Sequence, residues 1–147
     1  MAAITDLGAL AARPLFEPVA GWLHSFGGFA PPDASTLNAA LAGIAPPQSA
    51  GGAPIRFVRP EAGKGSYEER VFARGEVETR PGNWHDFFNA LAWLAYPQAK
   101  RSLNGRHHAA LQMQRAAGSS ARGAARDAIT QFDECGIVVA SASAALA

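Results

Sequence analysis

Residues 79–108 read TRPGNWHDFFNALAWLAYPQAKRSLNGRHH, and this stretch decides the fold class. Pro81-Gly82 is a turn pair and Asn83 stands where a helix N-cap belongs, so the spacing predicts a helix over 83–96. At about 100° per residue, Trp84, Phe87, Phe88, Leu91, Leu94 and Ala95 share one broad apolar side. Pro97 cannot continue that helix but suits the first position of another. A second helix over 97–114 is therefore expected, meeting the first at a sharp corner. Asn104-Gly105 leaves open a turn inside it.

Downstream, 116–124 (AAGSSARGA) is small and low in complexity. A third helix is expected over 121–134, with Ala125, Ala128, Ile129 and Phe132 on its apolar face and Gly136 ending it. Residues 137–140 (IVVA) read as a buried strand whose chief candidate partner is 55–58 (IRFV). Upstream, SYEERVFARGEVETR at 66–80 has Ser66 and Glu69 spaced as a capping box and Gly75 placed as a C-cap, which favours a helix. Two short strands turning at Arg74-Gly75 are the alternative. Residues 45–54 are a linker by composition. Two earlier helices are expected. One covers 35–43 with Leu37, Leu41 and Ile44 on one face, and one covers 15–26 with Pro18 tolerated in its first turn and Gly27-Gly28 ending it. The fold class is predominantly helical α+β, several short helices with one or two short strands. A Pro/Gly-rich helical segment (1–54) precedes a helical region (55–147).

Composition narrows the rest. Of 147 residues 33 are alanine, and Leu, Ile, Val and Phe together number 30, close to the edge of disorder. A net charge of +1 with three Trp and eight Phe nevertheless favours collapse and excludes collagen, coiled-coil, mucin-like and polyelectrolyte readings. A single cysteine, Cys135, cannot build a disulfide framework and reads as a plain intracellular thiol. No positive charge precedes Arg13 and no apolar run approaches a membrane span, so a cytoplasmic protein without a membrane partner is expected. Eleven Arg against two Lys, with the alanine excess, reads as the coding bias of a GC-rich bacterial genome.

Chemistry concentrates in three places. On the 83–96 helix, His85, Asn89 and Tyr96 fall on one side with Trp93 and Asp86 beside them, a polar-aromatic stripe. His85 is a candidate base or metal ligand with Asp86, Asp127 and Asp133 as carboxylate partners. Asn89, Trp93, Asn104, His108 and Arg126 are candidate binding residues. The plainer alternative is that Asp86 satisfies first-turn N–H groups and the stripe hydrogen-bonds nearby loops. The second helix offers Lys100, Asn104, His107 and His108, but adjacent histidines diverge and no His-Glu-x-x-His zinc motif exists. The third carries Arg126, Asp127, Thr130, Asp133 and Glu134, its acids at the end where the helix dipole disfavours them. No cofactor or metal is specified by these residues. Phosphate-loop, dinucleotide and Gly-x-Ser-x-Gly fingerprints are absent. Residues 98–126 carry Lys100, Arg101, Arg106, Arg115, Arg122 and Arg126 with no acid between them. That stretch could serve a nucleic acid or another phosphate-bearing ligand, or a protein partner.

His85-Asp86 invites comparison with HD phosphohydrolases, with His24 upstream and Asp127 or Asp133 downstream. The blocks YEERVFARGEVETR, 79–108 and RDAITQFDECGIVV at 126–139 together resemble a bacterial family, domain of unknown function family 3025. The resemblance covers roughly 55–140. It implies no activity or cofactor, but marks Asn83, Trp84, His85, Asp86, Asn89, Trp93, Asn104, Arg126, Asp127, Asp133 and Glu134 as signature positions. Members of that family continue past the strand after the FDE element, so the resemblance implies a domain truncated at its C-terminus. The functional expectation is a polar pocket between the three helices with hydrolase-like potential. The alternative is a binding module using the basic 98–126 stretch.

Overall fold

The computed structural model describes residues 6–61, 65–118 and 123–135. Contacts divide the chain into two compact units, Met1–Gly105 and Arg106–Ala147.

The first unit opens with α1 (Leu7–Ala11), which the sequence reading did not anticipate. Five residues give little periodicity, but Asp6 caps it by accepting from Gly8 and Ala9 N–H, and Leu7, Leu10 and Ala11 are buried. The helix expected over 15–26 is divided into a 3-10 turn, Pro14–Val19, and α2, Ala20–Phe26. Pro18 is the reason, because it has no N–H for an α-helical ladder. Gly27, at φ 58°, ends α2 as expected. Asp33 caps α3 (Ala34–Leu41), accepting from Thr36 N–H at 2.9 Å and from the Ser35 and Thr36 hydroxyls. These bonds hold its carboxyl down at about 2. Leu37 and Leu41 are buried, but Ile44 is 43% exposed. The helix stops at Leu41, so helical spacing no longer carries Ile44 inward.

β1 (Arg56–Val58), α4 (Tyr67–Arg74) and β2 (Glu76–Glu78) form a parallel pair with its crossover, in register Arg56↔Glu76, Phe57↔Val77, Val58↔Glu78. Both readings of 66–80 thus contain part of the answer. Ser66 and Gly75 bound a helix, as favoured, and a strand follows Gly75. The expected partner for β1 was 137–140. Among the described residues its partner is β2, and 136–140 lies outside them. Gly75 is at φ 67°, and a Cβ there would sit 2.0 Å from the Pro54 carbonyl oxygen, so no other residue fits this junction. The outer edge of β1 is closed by one side chain: the Asn38 amide donates to Phe57 O and accepts from Phe57 N–H, both at 2.8 Å. An otherwise open strand edge is satisfied without a third strand.

α5 (Trp84–Ala95) lies in the core as expected, with Phe87 and Leu91 buried and Trp84 and Phe88 packed against them. Phe26 meets Phe87 edge-on at 5.9 Å and Phe16 stacks on Phe88 at 5.8 Å. Residues on both sides of position 54 share this core, from Leu7 and Leu37 to Phe57 and Val77. α6 (Pro97–Ala116) starts on the proline as expected and runs through Asn104-Gly105 without a turn.

In the second unit, His107 and Leu111 of α6 are buried. α7 (Ala124–Cys135) follows, its apolar face turned largely to the surface: Ala125 and Ala128 are exposed, and so is Phe132, at 48%. None of the described helices is long and apolar enough to cross a membrane.

Candidate functional site

The site is built on the turn that launches α5. Arg80-Pro81-Gly82-Asn83 closes with Asn83 N–H donating to Arg80 O at 3.2 Å. Pro81 suits the second position, and Gly82 supplies the positive φ, 69°, that the third position of a type II turn requires. Asn83 Oδ1 then accepts from Asp86 N–H at 2.9 Å, which caps the helix. Asp86 reaches back across the turn. Its Oδ2 accepts from the Arg80 backbone N–H and from Nε–H, and its Oδ1 accepts from Nη2–H, each at 2.8 Å.

The Asp86 side chain is only 9% exposed, and a carboxylate this enclosed needs partners to stay charged. The Arg80 guanidinium supplies them and holds the carboxyl down at about 2 against the opposing effect of burial, and the bond raises Arg80 in turn. His85 Nδ1 lies 3.3 Å from the same Oδ1. An ionised carboxylate only accepts, so the contact calls for hydrogen on Nδ1, which leaves Nε2 of the neutral ring as its acceptor. The His85 side chain is 67% exposed.

The other expected residues form different groups. Asn89 donates to the Tyr67 hydroxyl at 3.1 Å. Trp93 is buried with the Lys100 ammonium 5.8 Å from its ring centroid, and Lys100 is itself only 8% exposed. Asn104 uses both ends of its buried amide on backbone, accepting from Ala50 N–H at 3.2 Å and donating to Glu68 O at 3.3 Å. Ser49, wholly buried, donates to Phe72 O at 2.7 Å and accepts from Ala53 N–H at 3.1 Å. The 49–53 loop is thereby latched to α4 and α6. A Cβ on Gly51 would meet Phe72 O at 2.3 Å, and one on Gly105 would meet Ala50 Cβ at 3.2 Å.

The polar-aromatic stripe is thus divided: His85 and Asp86 share a cluster with Arg80, Asn89 pairs with Tyr67, and Trp93 is core under Lys100. Tyr96 is half exposed. In the second unit, Asp127 stands in the first turn of α7, where the dipole favours an acid, and not at the C-terminal end as expected; only Asp133 and Glu134 lie near that end, and all three are exposed. His108 is half-buried on α6, and Arg126 donates to Gln114 Oε1 at 3.0 Å. Of the basic run, Arg101, Arg106 and Arg115 are exposed, Lys100 is buried, and Arg122 lies outside the described residues. His24 is exposed on α2. Among the described residues no three His, Cys, Asp or Glu side chains gather to hold a metal, so the HD comparison gains no support from them. Sequence reasoning missed Arg80, Ser49, Asn38 and Tyr67. Arg80 was the accessible one, because a Pro-Gly turn reverses the chain and returns the residue before it to the first turn of the helix.

Residues 55–147 match the family described as Protein of unknown function (DUF3025), more than half of the chain. The chain belongs to this family. The family span contains the Arg80–Asp86–His85 cluster and Asn104, whereas Asn38 and Ser49 precede it. No curated protein and no solved structure matches the chain.

Proposed function

We propose that this DUF3025 protein is hydrolase-like, with His85 as the proton-transfer residue and Asp86 as the residue that positions it. The observation that supports this is the shared Asp86 carboxylate. It is ionised, held from one side by Arg80, and meets His85 Nδ1 at 3.3 Å while the ring stays two-thirds exposed. A carboxylate on Nδ1 fixes the imidazole tautomer and orientation, and the basic Nε2 is the nitrogen that can take a proton from water or give one to a leaving group. The experiment is a panel of chromogenic carboxyl and phosphoryl esters. Turnover by the native protein that disappears in His85→Gln, with the melting temperature retained, is the expected result; turnover surviving in His85→Gln overturns it.

A second reading, a binding module using the 98–126 stretch, draws on the exposure of Arg101, Arg106 and Arg115. It is weakened by the burial of Lys100 over Trp93 and the bond from Arg126 to Gln114. Nucleic-acid binding that falls steeply with salt and is unaffected by His85→Gln would favour it.

A further inference from the structure

We propose that the substrate carries a phosphoryl group, bound between the outward edge of Arg80 and the ring of His85. This rests on His85 being the proton-transfer residue. Arg80 uses Nε–H and one Nη2–H on the Asp86 carboxylate. A guanidinium has five N–H groups, so three are directed away from Asp86, and the side chain is 58% exposed. His85 touches the same carboxylate from another side, with its ring open to solvent.

Charge then decides what fits. When His85 is protonated, one carboxylate faces two cations and cannot neutralise both. Glu78, the other acid close enough to act on Arg80, is itself paired with Arg70. The cluster therefore accepts a second anion. A planar carboxylate would be filled by the arginine fork alone, whereas a tetrahedral phosphoryl group has a further oxygen for Nε2–H of His85. In hydrolysis of such an ester, the oxygen of water bonds to phosphorus and the P–O bond to the alcohol breaks. His85 gives its Nε2 proton to the departing oxygen and recovers one from the attacking water. The products are the free alcohol and inorganic phosphate, and the ring ends in its starting state.

The test is a titration of the whole chain with inorganic phosphate, followed through the NMR signals of the His85 ring and Arg80 Nε–H. Saturable shifts of both signals in the millimolar range are expected. Binding should weaken about tenfold in Arg80→Lys, which keeps the charge and loses the fork, and likewise in His85→Gln. Acetate should move the Arg80 signal alone. Absent shifts overturn the proposal, as does phosphate binding unchanged in both variants, which means an adventitious ion only. An acetate response equal to that of phosphate on both signals overturns the phosphoryl assignment. Because His85 is exposed, its variant remains informative if Arg80→Lys fails to fold. Loss of turnover in His85→Gln without phosphate binding removes this inference and leaves the proposed function standing. Phosphate binding with turnover intact in His85→Gln removes the proposed function, and this inference with it.

Discussion

Two polar groups in the same unit handle their hydrogen bonds in opposite ways. At the 49–53 latch, Ser49 and Asn104 are buried and every bond from their side chains runs to backbone, so the group is closed. At the 80–86 turn, the buried atoms of Asp86 are equally well satisfied, but two of its partners, Arg80 and His85, extend into solvent. A closed group can stabilise and do nothing else. An open one built on a fixed carboxylate can also meet a ligand. The contrast separates residue types that looked alike as sequence: Asn104 and His85 are both polar positions on helices, yet Asn104 is buried and His85 exposed.

The contrast can be broken by substitution, beginning where the cost is largest. Gly51→Ala drives a Cβ to 2.3 Å from Phe72 O. It should lower stability by roughly 3 kcal/mol in chemical denaturation. Gly52→Ala meets open space and only a strained φ of 85°, so it should cost about 1 kcal/mol. Equal losses at the two positions would mean the latch is not tightly packed. Asn104→Ala removes a buried amide from the half-buried Ala50 N–H and Glu68 carbonyl, an expected loss of about 2 kcal/mol by the same measurement. A loss well under 1 kcal/mol would show the loop free to rearrange.

Asp86→Ala should cost on the order of 2 kcal/mol at neutral pH, and the loss should depend on pH. The folded carboxyl lies at about 2, below its ordinary value of 3.8. The native protein therefore holds this stabilisation in full above the ordinary value and loses it as pH falls through about 2. The difference between native and Asp86→Asn stability should shrink over that window; a difference constant with pH would contradict the ion pair. His85→Ala should move stability least, by under about 0.5 kcal/mol, because the ring is exposed. A loss above 1 kcal/mol in thermal melts would place His85 with the latch rather than with an open site.

The sequence made the helices legible where cap and breaker agreed. Asn83 with Pro97 bounded α5, and Ser66 with Gly75 bounded α4. It hid what depends on long-range pairing. The parallel partner of β1 was obscured because β2 has three residues and follows its helix after a single residue, Gly75. Asn38 could not be known to close a strand edge nineteen positions away. The 45–54 stretch read as linker because Pro, Gly and Ser have that composition, yet Ser49 is wholly buried. At the site, His85 and Asp86 were legible as polar residues on an apolar helix, and Asn104 as a polar residue on the next one. Their division into separate groups was not, since helical spacing gives a face and not the backbone waiting opposite it. Trp93 shows the same limit: spacing set it beside the polar stripe, yet it is buried in the apolar core.

The central claim, that His85 transfers protons from a position fixed by Asp86, is tested most directly by the initial rate of phosphomonoester hydrolysis in the native protein and in His85→Gln. The rate should fall at least about a hundredfold while the melting temperature stays the same. A rate left unchanged by the substitution would contradict the claim.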